Sequence, residues 1–278
     1  MTYEASANRR TATTIDELVK ALRALGVQQG DHVMVHASLR AIGPVEHGAA
    51  GVVIALDRAV GDAGTLLMTL GTDGVAEWVG DPPAPEVVAQ LTLLDCFDPL
   101  NTPATPENGF LAEEFRRTSG TLSSSHPEGR FGARGRLARE LLENPPWHDY
   151  YGPGSPLERL MNAGGKVLRL GADTNTVTLL HYAENLVKIE PKRRVTRYVA
   201  MRSVSGPEVA RVDTIDDSTG IVDWQGEDYF HLLLTDYLAT GAARVGMVGA
   251  ARGELIDARD IVHYAVRWME LKLVNTKL

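Results

Sequence analysis

Short apolar segments alternate with amphipathic, helix-like segments along this chain of 278 residues. The apolar segments are typical of strands at 32–36, 65–70 and 166–170, and the amphipathic ones of helices at 14–26, 48–60 and 177–186. Thr14 suits a helix N-cap and Gly26 a helix C-cap, which supports the first helix. Alternation of this kind predicts an α/β fold in which helices cover a mixed sheet, within a single compact unit.

The rest of the chain adds elements around an irregular insertion at 73–110. Its proline-rich part, 80–110, predicts a long loop or lid, which in a compact domain is usually functional. Later patterns predict a strand or hairpin at 195–205, a turn at 206–210, and helices at 110–118, 133–143, 155–162, 227–240 and 257–272. Because residues 1–12 are small and polar, we expect a flexible tail there and one domain over 13–278.

Composition excludes several classes of protein. The net charge of −8 disfavours nucleic acid as a partner, because phosphate binding needs a basic surface. A single cysteine, Cys96, rules out an intrachain disulfide and a cysteine-rich zinc site. The sequence has no run of about 18 apolar residues and no signal-like apolar segment near its start. We therefore expect a cytoplasmic protein without a membrane partner, as a monomer or a homodimer.

Charged residues are unevenly distributed along the chain. Residues 59–115 contain ten acids and no lysine or arginine, and residues 212–243 contain seven acids and no base. Four arginines gather between 130 and 139. The pattern fits a solvated surface, and it fits equally a site with an acidic wall for a cationic substrate and a basic wall for an anionic cofactor. Charge alone does not choose between these interpretations.

The segment 166–184, KVLRLGADTNTVTLLHYAE, carries the most chemistry. A strand leads through a polar loop into a helix, so its polar groups follow a strand's carboxyl end, where α/β sites form. Spacing of three places Thr178, His181 and Glu184 on one helix face. A histidine beside a carboxylate suits a general base, although a surface salt bridge explains the pair as well. A zinc helix would need a second histidine, so we expect no metal.

Three other segments are candidates for function. The strand at 33–36 ends in His36, and Ser38 follows it in the loop. Such strand-to-loop turns bind oxyanions, although a core histidine is the simpler interpretation of His36. Glycines and arginines interleave at 123–135, which favours either a phosphate contact or a plain surface loop. Cys96 would suit a nucleophile that carries an acyl group, but a packed cysteine is the commoner case.

Taken together, these motifs resemble the aminoglycoside N3-acetyltransferase family, antibiotic N-acetyltransferases that do not share the GNAT fold. The similarity spans about residues 14–268, and the motifs agree in order and spacing. It is carried by VMVHASLRAIG (33–43), LLMTLGT (66–72), FDPLNTPATPENGFLAEEFRR (97–117), SSSHPEGRFGARG (123–135), SPLERLMNAGGKVLRLGADTNTVTLLHYAE (155–184) and ARVGMVGAARGELIDARDIVHYAVRW (243–268).

The resemblance implies an antibiotic acetyltransferase-like fold and acetyl transfer from acetyl-CoA to the 3-amino group of a 2-deoxystreptamine aminoglycoside. His181 would deprotonate the attacking ammonium, Glu184 would orient it, and Thr178 would lie near the thioester. Residues implied to hold acetyl-CoA are His36, Ala37, Ser38, Leu39, Arg40, Thr72, Ser125, His126, Arg130 and Phe131. Acids implied to hold the polycationic antibiotic are Asp73, Glu77, Asp98, Glu107, Asp173 and Asp228.

Three alternatives differ from direct acetyl transfer to an aminoglycoside in a ternary complex. The first is a ping-pong scheme through an acetylated Cys96, and the second is acetylation of a different small amine metabolite by the same fold. The third is a module that binds CoA or a polycation without turnover, in which residues 178, 181 and 184 would only decorate a surface.

Overall fold

The computed structural model describes residues 12–224 and 228–273. Residues 1–11 of the expected tail and the first residue of the helix predicted at 227–240 lie outside these ranges. Strands within the described ranges are β1 (His32–Ala37), β2 (Thr65–Thr69), β3 (Glu77–Val79), β4 (Leu122–Ser123), β5 (Phe131–Gly135), β6 (Lys166–Leu170), β7 (Arg194–Ser203), β8 (Gly206–Ile215), β9 (Arg244–Val248) and β10 (Ala251–Asp257).

Helices of the same ranges alternate with these strands. They are α1 (Ile15–Leu25), α2 (Leu39–Ile42), α3 (Gly48–Val60), α4 (Pro85–Leu93), α5 (Gly109–Arg117), α6 (Ala138–Leu142), α7 (Pro156–Asn162), α8 (Leu179–Leu186), α9 (Tyr229–Ala239) and α10 (Ala258–Lys272). None of these helices is long and apolar enough to span a membrane.

The main sheet of the described chain is seven-stranded and mixed, in the order β4-β5-β2-β1-β6-β10-β9. Its centre is parallel, with β1 between β2 and β6, whereas the outer strands pair antiparallel. One face is covered by α1, α3 and α5 and the other by α6 to α10, each over its own hydrophobic core. The predicted α/β class, a mixed sheet covered by helices, is therefore confirmed.

Local sequence accounts for the elements that position the site. Thr14 and Glu17 form a reciprocal capping box at the start of α1, and Gly26 ends that helix in the left-handed conformation with φ 116°. Ser155 caps α7 through its side chain, with a proline in the first turn. These short-range signals explain why the helices at 14–26 and 155–162 could be predicted.

Several predicted elements are wrong in type or boundary. Residues 133–135 belong to β5 rather than to a helix, because this segment pairs with β2 in the main sheet. The insertion contains α4, which Pro85 opens in its first turn. The predicted hairpin exists, but β8 continues through the expected turn at 206–210, and with β7 and β3 it forms a second sheet.

The last two strands, β9 and β10, were not predicted. Gly246 and Gly253 face each other across this pair, and glycine is a poor strand former. The glycines instead provide room for α1, because a Cβ on Gly253 would lie 3.0 Å from Leu25 and one on Gly246 3.4 Å from it. Close helix-on-sheet packing thus outweighs local propensity here.

One buried side chain holds the loop between β6 and α8. Arg169 is 2% exposed and forms an ion pair with Glu254, which lies opposite it on β10. The same guanidinium donates to the carbonyl oxygens of Ala172 at 3.0 Å, Asp173 at 2.6 Å and Thr176 at 3.3 Å. Because Glu254 compensates the buried charge, Arg169 can stay inside the protein and fix the path of this loop.

Replacing Glu254 by Gln should lower the free energy of unfolding by on the order of 3 kcal/mol, because it leaves the Arg169 charge buried without a counter-charge. Urea unfolding at pH 7 measures this loss. The control is Asp16→Asn, which breaks a pair with Arg58 whose side chains are 91% and 55% exposed; its expected loss is below about 1 kcal/mol. Equal losses in the two variants would contradict the role of the buried pair.

Candidate active site

A first cavity opens at the carboxyl ends of β1, β2 and β6, the edge at which α/β sheets bind ligands. Its volume is about 400 Å³, and we call it the strand-end cavity. Small residues and backbone form much of its wall, with a few polar groups among them. Its lining includes His36, Ala37, Ser38, Arg40, Thr69, Glu107, Gly109, Gly171, Ala172, Asp173 and Thr176.

A second cavity, which we call the histidine cavity, has a volume of about 450 Å³. It is formed by α8, the segment after β8 and the start of α9. Its wall is acidic and aromatic, and includes Asn175, His181, Glu184, Asp217, Asp228, Tyr229 and Phe230.

Two adjacent residues, 175 and 176, form a wall between the two cavities. Thr176 lines the strand-end cavity, whereas its neighbour Asn175 lines the histidine cavity. Thr178, two residues further along, contacts two residues of the strand-end cavity: its hydroxyl is 3.2 Å from that of Thr69, and its N–H donates to His36 Nε2 at 3.4 Å. The two cavities therefore adjoin at residues 175 and 176.

His181 is fixed on the histidine-cavity side of this wall. Its Nδ1 lies 2.7 Å from Glu184 Oε2, one helical turn away on α8. The ring stacks on Tyr151, with centroids 5.1 Å apart and an interplanar angle of 12°, and packs against Phe230 at 4.9 Å. Since Nδ1 hydrogen-bonds a carboxylate, it carries the proton of the neutral ring, and Nε2 is the basic atom.

Charge around His181 favours its protonated form. Burial lowers the pKa of His181, but the charge and the hydrogen bond of Glu184, with Asp217 and Asp228 in support, outweigh burial. The pKa therefore lies above the ordinary value of 6.5. A base of this kind accepts a proton readily once it is itself neutral.

Glu184 is held by a residue that sequence analysis missed. The carboxylate is 1% exposed and accepts a hydrogen bond from the Tyr229 hydroxyl on its Oε1. The Tyr229 oxygen in turn accepts the Ile221 N–H at 3.2 Å. Tyr229 lies 45 residues from Glu184, at the start of α9, and no helical spacing relates the two.

His36 is a neutral histidine with a defined tautomer. Burial, with a smaller contribution from the charge of Arg169, lowers the pKa of His36 to about 3. Its Nε2 accepts the N–H of Thr178, so the ring proton lies on Nδ1. The core interpretation and the ligand-facing interpretation both apply, because the residue is 8% exposed and still lines the strand-end cavity.

Comparison with known proteins agrees with this geometry. The model of the family described as aminoglycoside 3-N-acetyltransferase matches residues 34–270. Aminoglycoside N(3)-acetyltransferase VII of Streptomyces paromomycinus is 39% identical over 267 residues, covering 94% of this chain and 92% of that protein. The chain belongs to the aminoglycoside 3-N-acetyltransferase family. The resemblance inferred from the motifs is thereby confirmed.

Solved structures of aminoglycoside acetyltransferases share the fold. AAC-IIIb in its binary complex with CoASH superposes with a TM-score of 0.87 at 36% identity, covering 94% of this chain and 98% of that one. Sisomicin-bound AAC-VIa gives a TM-score of 0.89 at 36% identity, covering 94% and 99%. This member of the 3-N-acetyltransferase family therefore has the family fold over nearly its whole described length.

The expected acetyl-CoA residues fall into two groups. His36, Ala37, Ser38 and Arg40 line the strand-end cavity, as one cluster at the end of β1. The other six expected residues, all within the described part of the chain, are not part of that lining: Leu39, Thr72, Ser125, His126, Arg130 and Phe131.

Three of the four expected acetyl-CoA residues in the segment 123–135 are interior. His126, Arg130 and Phe131 are each 0% exposed, whereas Ser125 is exposed. His126 Nδ1 accepts the N–H groups of Glu128 and Gly129, so this histidine closes a turn. The glycines and arginines of this segment thus belong to β5 and to the turn that precedes it.

Arg130 has the same structural character. Its guanidinium donates to the carbonyl oxygens of Gly71 at 3.2 Å, Pro103 at 3.1 Å and Pro99 at 3.1 Å. It also lies 5.3 Å over the ring of Phe97. The side chain ties the insertion to the end of β2 through these hydrogen bonds, and its expected contact with a phosphate stays a prediction.

The six expected substrate acids are dispersed. Asp228 lines the histidine cavity, where it also caps α9 and accepts from Asn175 Nδ2 at 3.0 Å. Glu107 and Asp173 line the strand-end cavity instead. Within the described chain, Asp73, Glu77 and Asp98 line neither; Glu77 faces Arg197 at 3.8 Å and Asp98 closes the turn at 98–101.

Asp217 is an acid of the histidine cavity that sequence analysis did not single out. Its carboxylate accepts the Tyr150 hydroxyl at 2.6 Å and pairs with Arg197 at 3.3 Å. The acid-rich stretch at 212–243 could have pointed to this cavity, because both Asp217 and Asp228 belong to it.

Cys96 and possible metal ligands can be placed as well. Cys96 lies outside the lining of both cavities, and its Sγ is 3.5 Å from the Leu94 carbonyl oxygen. Across the described part of the chain, no group of three or more histidine, cysteine or acidic residues is arranged to hold a metal.

Proposed function

We propose that this chain is an acetyl-CoA-dependent N-acetyltransferase that acetylates the 3-amino group of 2-deoxystreptamine aminoglycosides by direct transfer. The observation that carries the proposal is that a small-residue cavity at the strand ends and an acidic cavity that holds a histidine base meet at residues 175 and 176. Direct transfer needs two neighbouring sites and a base at their junction.

The strand-end cavity fits the acetyl donor. Ala37, Gly109, Gly171 and Ala172 leave room for a thin pantetheine chain, and Arg40 supplies a positive charge for the phosphate end. The structural relative AAC-IIIb is seen with CoASH, which supports the same class of co-substrate for this chain. When bound, acetyl-CoA supplies a thioester that an amine can attack.

The histidine cavity fits a polycation. Glu184, Asp217 and Asp228 contribute carboxylates, and aromatic rings close the same wall. Carboxylates in a shielded cavity attract ammonium groups and raise their local concentration. Sisomicin-bound AAC-VIa, similar over nearly its whole length, supports an aminoglycoside in this role.

The proposed step follows from the atoms at the junction. His181 Nε2 takes a proton from the substrate ammonium, and Glu184 stabilises the resulting imidazolium through Nδ1. The amine nitrogen then bonds to the acyl carbon, and the carbon–sulfur bond breaks, so that the thiol leaves and an amide forms. The Thr178 hydroxyl, which is 3.2 Å from that of Thr69, would donate to the developing oxyanion.

A thiol-release assay tests this function. Purified protein is mixed with acetyl-CoA and a panel of aminoglycosides, some carrying a 3-amino group on 2-deoxystreptamine and some lacking it. We expect thiol release with the former alone. Release with unrelated small amines but no aminoglycoside would favour a metabolite acetyltransferase, and binding without release would favour a non-catalytic module.

Replacing His181 by Gln should lower turnover at pH 7.5 by at least about 100-fold while CoA still binds, because the change removes the base and keeps the strand-end cavity. Steady-state kinetics and calorimetric titration with CoA measure the two effects. Cys96→Ala is the matched control, and its turnover should equal that of the wild type. Loss of turnover in the cysteine variant would instead support the ping-pong scheme.

The pH dependence should follow the raised pKa of His181. Only neutral imidazole accepts a proton, so kcat/KM should rise with pH and reach half its plateau above pH 6.5. Glu184→Gln removes the charge that raises this pKa and leaves burial, which lowers it. Its midpoint should therefore move to lower pH, with a smaller plateau. A midpoint that stays in place would argue against coupling between the two residues.

A further inference from the structure

We propose that Tyr229 is a positioning residue for acetyl transfer, whose hydroxyl fixes the Glu184 carboxylate and connects it to the substrate-side loop at 217–221. This inference rests on the proposed function, because it concerns the same base. Tyr229 would contact neither reacting atom; it would act through Glu184 on His181.

The direction of each hydrogen bond is set by the chain itself. Ile221 N–H can only donate, so the Tyr229 oxygen accepts it, and the hydroxyl proton points to Glu184 Oε1. Glu184 Oε2 remains for His181 Nδ1 at 2.7 Å. Each carboxylate oxygen thus has one donor, and the imidazole is aligned by a carboxylate that cannot rotate freely.

The surroundings of Tyr229 are built to keep its ring in place. The residue is 5% exposed, and its ring makes edge contacts with Trp224 at 6.4 Å and Phe230 at 5.2 Å. Gly220 has φ 87°, and a Cβ there would lie 2.6 Å from the Tyr229 ring. The loop therefore passes against the ring at a distance that only glycine permits.

The hydroxyl also affects how strongly the carboxylate attracts the imidazole proton. A donor on Oε1 spreads the negative charge of Glu184, so its removal should strengthen the hold of Glu184 on the proton of His181. Other titratable groups around the pair come from different elements and would be unchanged. They are Asp217 after β8, Asp228 before α9, Tyr151 between α6 and α7, and Lys192 after α8.

Tyr229→Phe tests the proposal, with Tyr237→Phe as the matched control. Tyr237 is also buried, at 1% exposure, and its hydroxyl also donates to a carboxylate, Asp260 Oδ2, at 2.8 Å. In Tyr229→Phe the kcat/KM midpoint should move to higher pH by about 1 unit, and activity should recover at high pH. In Tyr237→Phe the midpoint should match that of the wild type.

Two further variants separate coupling from general damage to the fold. Tyr229→Phe added to Glu184→Gln should move the midpoint no further than Glu184→Gln alone. Site-specific 3-fluorotyrosine at position 229 keeps the ring and strengthens the donor, so its midpoint should move to lower pH. A purely structural role predicts a uniform loss at every pH, and that result, or midpoints equal to those of the wild type, would overturn the proposal.

Failure of the proposed function gives a different result. If the wild-type protein releases no thiol, the proposed transferase activity is contradicted. The role of Tyr229 is then tested by an NMR titration of the His181 imidazole, which needs no turnover. There too the pKa of His181 should rise in Tyr229→Phe and stay constant in Tyr237→Phe. An unchanged pKa in both variants would count against Tyr229 alone.

Discussion

The buried ion pair between Arg169 and Glu254 is the interaction on which the site depends. It allows a guanidinium to remain inside the protein, where it donates to three carbonyl oxygens of the loop between β6 and α8. That loop lines the strand-end cavity and includes the wall at residues 175 and 176. Without these hydrogen bonds the loop would sample many conformations, because backbone entropy opposes a single geometry. The two cavities would then not keep fixed positions relative to each other.

Charge in the histidine cavity serves binding and basicity together. The carboxylates of Asp217, Asp228 and Glu184 suit a polycationic ligand, and they also raise the pKa of His181. A bound ammonium would offset part of this negative field, so substrate binding itself would favour the neutral imidazole that accepts a proton. Burial of the ring acts in the same direction, since it disfavours the imidazolium. Substrate charge and base charge are thus linked through one set of acids.

Sequence alone reaches the features that depend on short-range spacing. The central strands, the helix caps and the His181–Glu184 pair follow from periodicities within one element, and the motifs revealed the family. Contacts between distant segments were out of reach, because no local pattern pairs Tyr229 with Glu184 or places Asp217 beside His181. The structural role of Arg130 escaped prediction for a related reason: its acceptors are carbonyl oxygens, which every residue carries. The glycines of β9 and β10 likewise make sense only beneath α1.

The most direct test of the account is the tautomer of His181 in solution. Protein labelled with ¹⁵N at the histidine ring nitrogens is observed by NMR above the titration midpoint, and the His181 signals are assigned by their loss in His181→Gln. We expect a proton on Nδ1, held by Glu184, and an unprotonated Nε2 that can accept the substrate's proton. A neutral ring that carries its proton on Nε2 would contradict it, because that nitrogen could not then act as the base.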